Sequence, residues 1–244
     1  MSFKKKILPV SWKNGDKLTG DLNGIGFLLN GPIHNDAPIE ETLIAASIEG
    51  MIRRDGRVMS LLTDWITIHA SKINGDVLTG MLFALDPSEM RSILVYWCAN
   101  AQRLKNDLRF ERLRRLYQGP RIDYLAMLEN ERNEDSAGTS LLIRKNGEDQ
   151  RFAATCMRVP NLVLRHRLKD VMTPAKLSKH HLGYRYRVMM GPTYRADIWA
   201  LLRKYANLSV SELARRAHSS YNTAKLVKSD YELVKRDYST RKVA

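Results

Sequence analysis

Long apolar runs are missing from this 244-residue chain. Its longest uncharged apolar stretches, Ile93–Ala99 and Met81–Leu85, fall far short of the roughly 20 residues that a membrane-spanning helix requires. Met1–Lys6 is basic, but the Ile7–Val10 segment behind it is too short for the apolar core of a secretory leader. Cysteine is scarce. Cys98 and Cys156 are the only two, which excludes a disulfide framework and a four-cysteine zinc site and suits a reducing cytosol. Cys98 follows Val95, Tyr96 and Trp97 and is expected to be a small buried hydrophobe, with Cys156 similar.

Catalytic signatures are equally sparse. The six histidines (His34, His69, His166, His180, His181 and His218) sit in no HExxH or CxxC context, so no metal or cofactor is expected. His180 and His181 would point apart on a helix and suit a linker. There is no GxSxG elbow, no Walker loop and no Gly-Ser…Asp-x-Asp nucleotidyltransferase arrangement. Gly24-Ile-Gly26 is not a dinucleotide fingerprint, because the third glycine is misplaced. Glu129, Glu131, Glu134 and Asp135 suit an exposed acidic loop over Asn130–Ser136 better than a two-metal site. A nuclease with scattered acidic ligands is the remaining enzymatic alternative.

What the chain has in excess is positive charge: 40 Lys and Arg against 26 Asp and Glu, a net +14. The excess is one-sided. Residues 1–90 hold nine basic and eleven acidic residues, whereas residues 91–244 hold 31 and 15, a balance of +16. A strongly basic half is expected where a chain must meet a polyanion, and nucleic acid leads that list. An acidic protein, a membrane surface or a merely solvated basic face would account for the same charge.

Periodicity predicts a mainly α protein in three parts: a helical domain over 1–120 with an irregular N-terminal arm, a basic middle region over 121–180, and a helix-turn-helix domain over 181–244. Glycines 15, 20, 24, 26 and 31 predict turns and short extended pieces through residue 38. Pro38 with Glu40 and Glu41 opens a helix carrying Leu43, Ile44, Ile48, Met51 and Ile52 at helical spacing. Further helices are expected over Arg57–His69, Gly75–Ala84 and, behind the Asp86–Glu89 start signal, to about Gln102. Another is expected over Leu104–Tyr117. In the middle region Asn146-Gly147 is a hairpin-type turn signal, and Pro160–Lys169 and Pro174–His181 suit short basic helices.

The last third is the most informative. Thr193–Ala206 predicts a helix with Ile198, Leu201, Leu202 and Tyr205 on one face. Ser209 and Glu212 have capping-box spacing and open a short helix burying Val210, Leu213, Ala214 and Ala217. His218–Ser220 breaks it, and Ser219 or Ser220 caps a second helix with inner face Ala224, Val227 and Tyr231. Two short helices joined by a tight turn, with a small residue at the crossing, have helix-turn-helix geometry.

Ser209–Ala214 and Ser220–Ala224, together with Leu182–Gly191 and Tyr194–Ile198, resemble the winged helix-turn-helix proteins of bacterial transcription regulation. More narrowly they look like a group with a helical N-terminal region, a short arginine-rich linker and a C-terminal winged helix, among them regulators and antitoxin-like partners. The resemblance implies a sequence-specific duplex-DNA-binding regulator, an antitoxin-like repressor with a protein partner on the helical region, and a homodimer. The chain departs from that group after the second helix. No glycine follows Ser229–Glu232, and Lys228 stands where a leucine is usual, so Leu233–Arg236 has room only for a short strand and Asp237–Ala244 for a basic tail.

On physical grounds the second helix would present Tyr221, Asn222 and Lys225 to base edges, Asn222 to an adenine, with Thr223 and Lys228 at the groove edge. Arg203, Lys204, Arg215 and Arg216 would meet phosphates, joined by Lys235 and Arg236. A solvated surface role is the plain alternative for each. RNA binding or assembly through the basic half is the second non-enzymatic reading, with Tyr184, Tyr186 and Tyr194 among arginines as stacking candidates.

Overall fold

Among the described residues, Gly15–Gly24 is helical where turns were expected, while residues 25–38 run through turns and an isolated bridge, without helix. The computed structural model describes residues 13–85, 90–128 and 137–240, with side chains as far as Lys235. The described chain is mainly helical. Contacts divide it into two compact units, one of Met1–Ala70 with Gly75–Thr173 and one of Ser71–Asn74 with Pro174–Ala244.

The first unit holds α1 (Gly15–Gly24), α2 (Ile39–Ile52), α3 (Gly56–His69), α4 (Gly75–Phe83), α5 (Arg91–Arg103), α6 (Glu111–Arg114), α7 (Tyr124–Leu128) and α8 (Ala137–Asn146). The helix with the most neighbours in this unit, α2, packs against α1, α3, α4, α5 and α7, and ten of its fourteen residues are buried. Its apolar residues are spread around the helix rather than confined to one stripe, which suits a place in the middle of its unit. Large aromatics fill the space around it, and the two indoles have their N–H groups satisfied: Trp97 Nε1 donates to Ser47 Oγ at 3.1 Å and Trp65 Nε1 to the Ile25 carbonyl at 2.7 Å. Arg54 takes a left-handed φ of 58° between α2 and α3, and Asp55 then caps α3 by accepting from the Arg57 and Val58 amides. Asp64, buried on α3, pairs with Arg151 at 3.1 Å and accepts from the Arg167 amide, which ties the 149–167 segment to that helix. Cys98 and Cys156 are both buried.

Four local expectations are corrected here. Residues 15–24 form α1 despite three glycines; close packing explains two of them, since a Cβ at Gly20 would strike the His34 ring and one at Gly24 the His34 carbonyl. The single helix expected over Leu104–Tyr117 is broken. Asp107 is extended and caps a 3-10 turn at Leu108–Phe110 before α6, while Arg114 donates to the Ala101 and Leu104 carbonyls at the end of α5. The Asn146-Gly147 hairpin is not formed either: α8 ends at Asn146, and Gly147 at φ 78° is its left-handed terminator. The two short strands, β1 (Ile122–Asp123) and β2 (Met157–Arg158), run parallel with Ile122 opposite Met157. Pro160–Lys169 forms turns leading into a 3-10 turn at Leu168–Asp170 instead of a helix. The Asp86–Glu89 cap and the Asn130–Ser136 loop, with Glu129, lie outside the described residues.

In the second unit, α9 (Pro174–His180) and α10 (Leu182–Met190) lead into α11 (Tyr194–Lys204), α12 (Val210–Arg216) and α13 (Tyr221–Thr240). Leu233–Arg236, expected as a strand, lies inside α13, and so does the expected tail as far as Thr240. Tyr231 explains the continuation. Its ring packs edge-on against Trp199 of α11 at 5.2 Å, and Asp230 pairs with Arg195 at 2.8 Å, so the third and fourth turns of α13 gain partners as a helix. Residues 241–244 lie outside the described residues. No described helix is long and apolar enough to cross a membrane.

Candidate nucleic-acid interface

The site grows from one small core. Ile198 and Leu202 of α11, Leu213 and Ala217 at α12, and Ala224 and Val227 of α13 are buried together, with Trp199, Leu208 and Tyr231 packed around them. Those six positions leave α12 and α13 only one way to face: their opposite sides are open to solvent.

The joint between α12 and α13 is built from short polar residues. Ser209 Oγ accepts from the Glu212 amide at 3.2 Å and opens α12. At its far end the Ser219 amide donates to the Ala214 carbonyl at 3.0 Å and the His218 amide to Arg215 at 3.4 Å. With His218 at φ 53°, this is a Schellman ending with a non-glycine residue in the left-handed position. Ser220 Oγ then accepts from the Thr223 amide at 3.1 Å and meets the Thr223 hydroxyl at 2.9 Å, opening α13. Of the two capping candidates in the sequence, Ser220 carries the cap.

Tyr221, Asn222 and Lys225 are exposed on the first turns of α13. Thr223 is half-buried with its hydroxyl engaged in the cap. Lys228 reaches back, its Nζ donating to the Leu208 carbonyl at 2.9 Å, so its charge serves the α11–α12 connection. Arg203 and Lys204 are exposed at the end of α11. Lys204 and Arg216 lie over the Tyr205 ring, each at 5.1 Å. Arg215 and Arg216 both hold the Glu212 carboxylate, at 2.7 Å, and these two hydrogen-bonded guanidiniums pull its carboxyl from the usual range down to about 2. Glu212 is therefore ionised at any physiological pH and half-neutralises the pair beside it. Lys235 is exposed, and the Arg236 side chain lies outside the described residues.

Leu226 was not singled out from sequence. It is 62% exposed, one turn beyond Asn222. At about 100° per residue, Asn222, Leu226, Ser229 and Leu233 fall in one stripe on the side of α13 opposite Ala224, Val227 and Tyr231. The signal was available, since Leu226 belongs to neither the inner nor the charged positions of the helix.

The stacking candidates are placed differently. Tyr184 is fully buried, Tyr186 packs on Trp199 at 6.2 Å, and Arg187 after them is buried against Asp197 at 2.7 Å and the Lys72 carbonyl at 3.0 Å. His181 caps α10, its Nδ1 accepting from the Tyr184 amide at 2.9 Å. Among the described residues there is no group of three or more His, Cys, Asp or Glu able to hold a metal ion. No protein-family model matches the chain, and neither a curated protein nor a solved structure matches it.

Proposed function

We propose that the second unit binds duplex DNA as a helix-turn-helix, with the N-terminal half of α13 in the major groove and α12 crossing the backbone, and that the protein acts as a non-enzymatic regulator of transcription. The observation that carries this reading is the pairing of α12 and α13 through a four-residue capped turn over one shared core, which leaves Tyr221, Asn222 and Lys225 outward on the first turns of α13. The charge is in keeping: Ser71–Asn74 with Pro174–Ala244 contains 16 Lys and Arg against 5 Asp and Glu. Because α13 runs straight through the place of a wing, phosphate contacts fall to the ends of α11 and α12. Arg203, Lys204, Arg215 and Arg216 are the residues for that role. The burial of Tyr184 and packing of Tyr186 favour duplex over single-stranded RNA, which is read by stacking on open aromatic rings.

A sequence-specific repressor with a protein partner on the helical first unit, acting as a homodimer, is the form of regulator this reading favours. Selection of bound fragments from a random duplex pool by the full chain tests it. A consensus, palindromic for a dimer, is the expected result. Equal affinity for duplex DNA and single-stranded RNA of the same length would overturn it.

A further inference from the structure

An exposed leucine among polar and basic side chains leaves an aliphatic surface open to an apolar group of a partner. Leu226 lies one helical turn from Asn222 on the outward stripe of α13, with Lys225 beside it. Side chains four apart on a helix stand about 5–6 Å from one another. Stacked base pairs are about 3.4 Å apart. If Asn222 meets one base pair, Leu226 therefore meets the next or the one after. The major groove offers an aliphatic side chain a single apolar partner, the 5-methyl group of thymine. Asn, in turn, matches the donor and acceptor on the major-groove edge of adenine. The charge around it stays positive even with Arg215 and Arg216 sharing Glu212, since Lys225 next to it in sequence and Arg203 at the end of α11 are both exposed. This fits a polyanion as the covering partner rather than a second apolar helix.

We infer that Asn222 and Leu226 form a two-residue reading unit for adenine followed within two base pairs by thymine, Leu226 setting specificity through the thymine methyl. This rests on the duplex-DNA reading above and goes beyond it by naming the bases. Leu233, two turns further on, lies past the N-terminal half of the helix that reaches base edges and is assigned no base.

The test uses the full chain and the duplex selected from the random pool. Each thymine is replaced in turn by deoxyuridine, which removes only the methyl group, and each adenine by 7-deazaadenine, which removes only the N7 acceptor. One deoxyuridine position is expected to weaken binding about fourfold, the weight of one buried methyl group. Leu226→Ala should bind the thymine and deoxyuridine duplexes equally, with an unchanged salt dependence and unchanged melting temperature. Asn222→Ala should lose the 7-deazaadenine effect while keeping the methyl effect. If the parent protein binds the selected duplex but no thymine methyl matters, or Leu226→Ala keeps the full methyl effect, the assignment of Leu226 falls and the DNA reading stands. If Leu226→Ala instead lowers the sedimentation mass of the free protein, Leu226 belongs to a contact between copies and the inference is overturned. If no duplex is enriched, the DNA reading and the inference fall together.

Discussion

Acidification should weaken the first unit through one histidine. His69 is fully buried on α3, tilted against the Trp65 ring with centroids 4.7 Å apart, and its Nε2 is 2.9 Å from the Met172 carbonyl, to which it donates. Burial lowers its pKa from the ordinary 6.5 to about 4, outweighing the carbonyl that favours the protonated ring. A folded-state pKa below the unfolded one means that the unfolded chain binds more protons between those two values. Stability is therefore full above pH 6.5 and is lost as the pH falls towards 4. Each pH unit in that window is worth about 1.4 kcal/mol, so about 2 kcal/mol should be gone by pH 5 and about 3 kcal/mol in all. Other groups also titrate there, so the measurement is a difference. Urea unfolding of the parent chain and of His69→Gln, whose amide can still donate to Met172, is followed at intervals from pH 7.5 to pH 5. The variant should be the less stable at pH 7.5, and the gap should shrink by about 2 kcal/mol at pH 5. Two curves that stay parallel would refute the argument, because His69 would then carry the same proton count folded and unfolded.

Glu212→Gln removes the carboxylate that occupies Arg215 and Arg216; non-specific DNA binding should tighten, and the slope of log affinity against log salt should steepen by about one to two units. An unchanged slope would mean that neither arginine touches phosphate. Arg215→Ala and Arg216→Ala should weaken binding to all sequences alike, whereas Asn222→Ala should relax preference at one base position by about 1–3 kcal/mol; identical, uniform losses in all three would place α13 outside the groove. Leu213→Ala opens a cavity in the six-residue core of the second unit and should cost about 2–5 kcal/mol in thermal or urea unfolding. A loss below 1 kcal/mol would show that this core does not hold α12 on α13. His218→Gly relieves a left-handed residue and should stabilise the same unit by about 1 kcal/mol, a change in melting temperature that His218→Ala should not reproduce.

The parts of the fold that could be read in advance share a feature: their decisive interactions are close in sequence. The Ser209 cap, the break at His218 and the buried positions Leu213, Ala217, Ala224 and Val227 all follow from spacings of a few residues. Pro38 and the Leu43, Ile44 and Met51 spacing mark α2 for the same reason. The misreadings arise where distant partners decide. Gly20 and Gly24 look like turn residues until His34 is folded against them. Asn146-Gly147 is an equally good hairpin turn and helix ending, and only the chain on either side selects between them. Leu233–Arg236 has strand-like residues, yet Trp199 and Arg195, more than thirty positions earlier, hold the preceding turn helical. In the candidate interface the exposed polar residues were legible one by one. The engagement of Lys228 with the Leu208 carbonyl and of both arginines with Glu212 depends on side-chain reach, which spacing alone does not rank.

The unbroken run of α13 has a mechanical meaning. Twenty residues of helix with no glycine or proline extend about 30 Å, from Tyr221 to Thr240. Such a rod behaves as a shaft: rotation or tilt at one end is delivered to the other with its phase kept. A probe attached near Thr240 would report the bearing of Asn222 at the other end, and each residue inserted ahead of it would turn the probe by about 100°. Insertions of three or four residues would nearly restore the bearing, and insertions of two would set it on the opposite side. The far end of α13 is thus a dial for the near one.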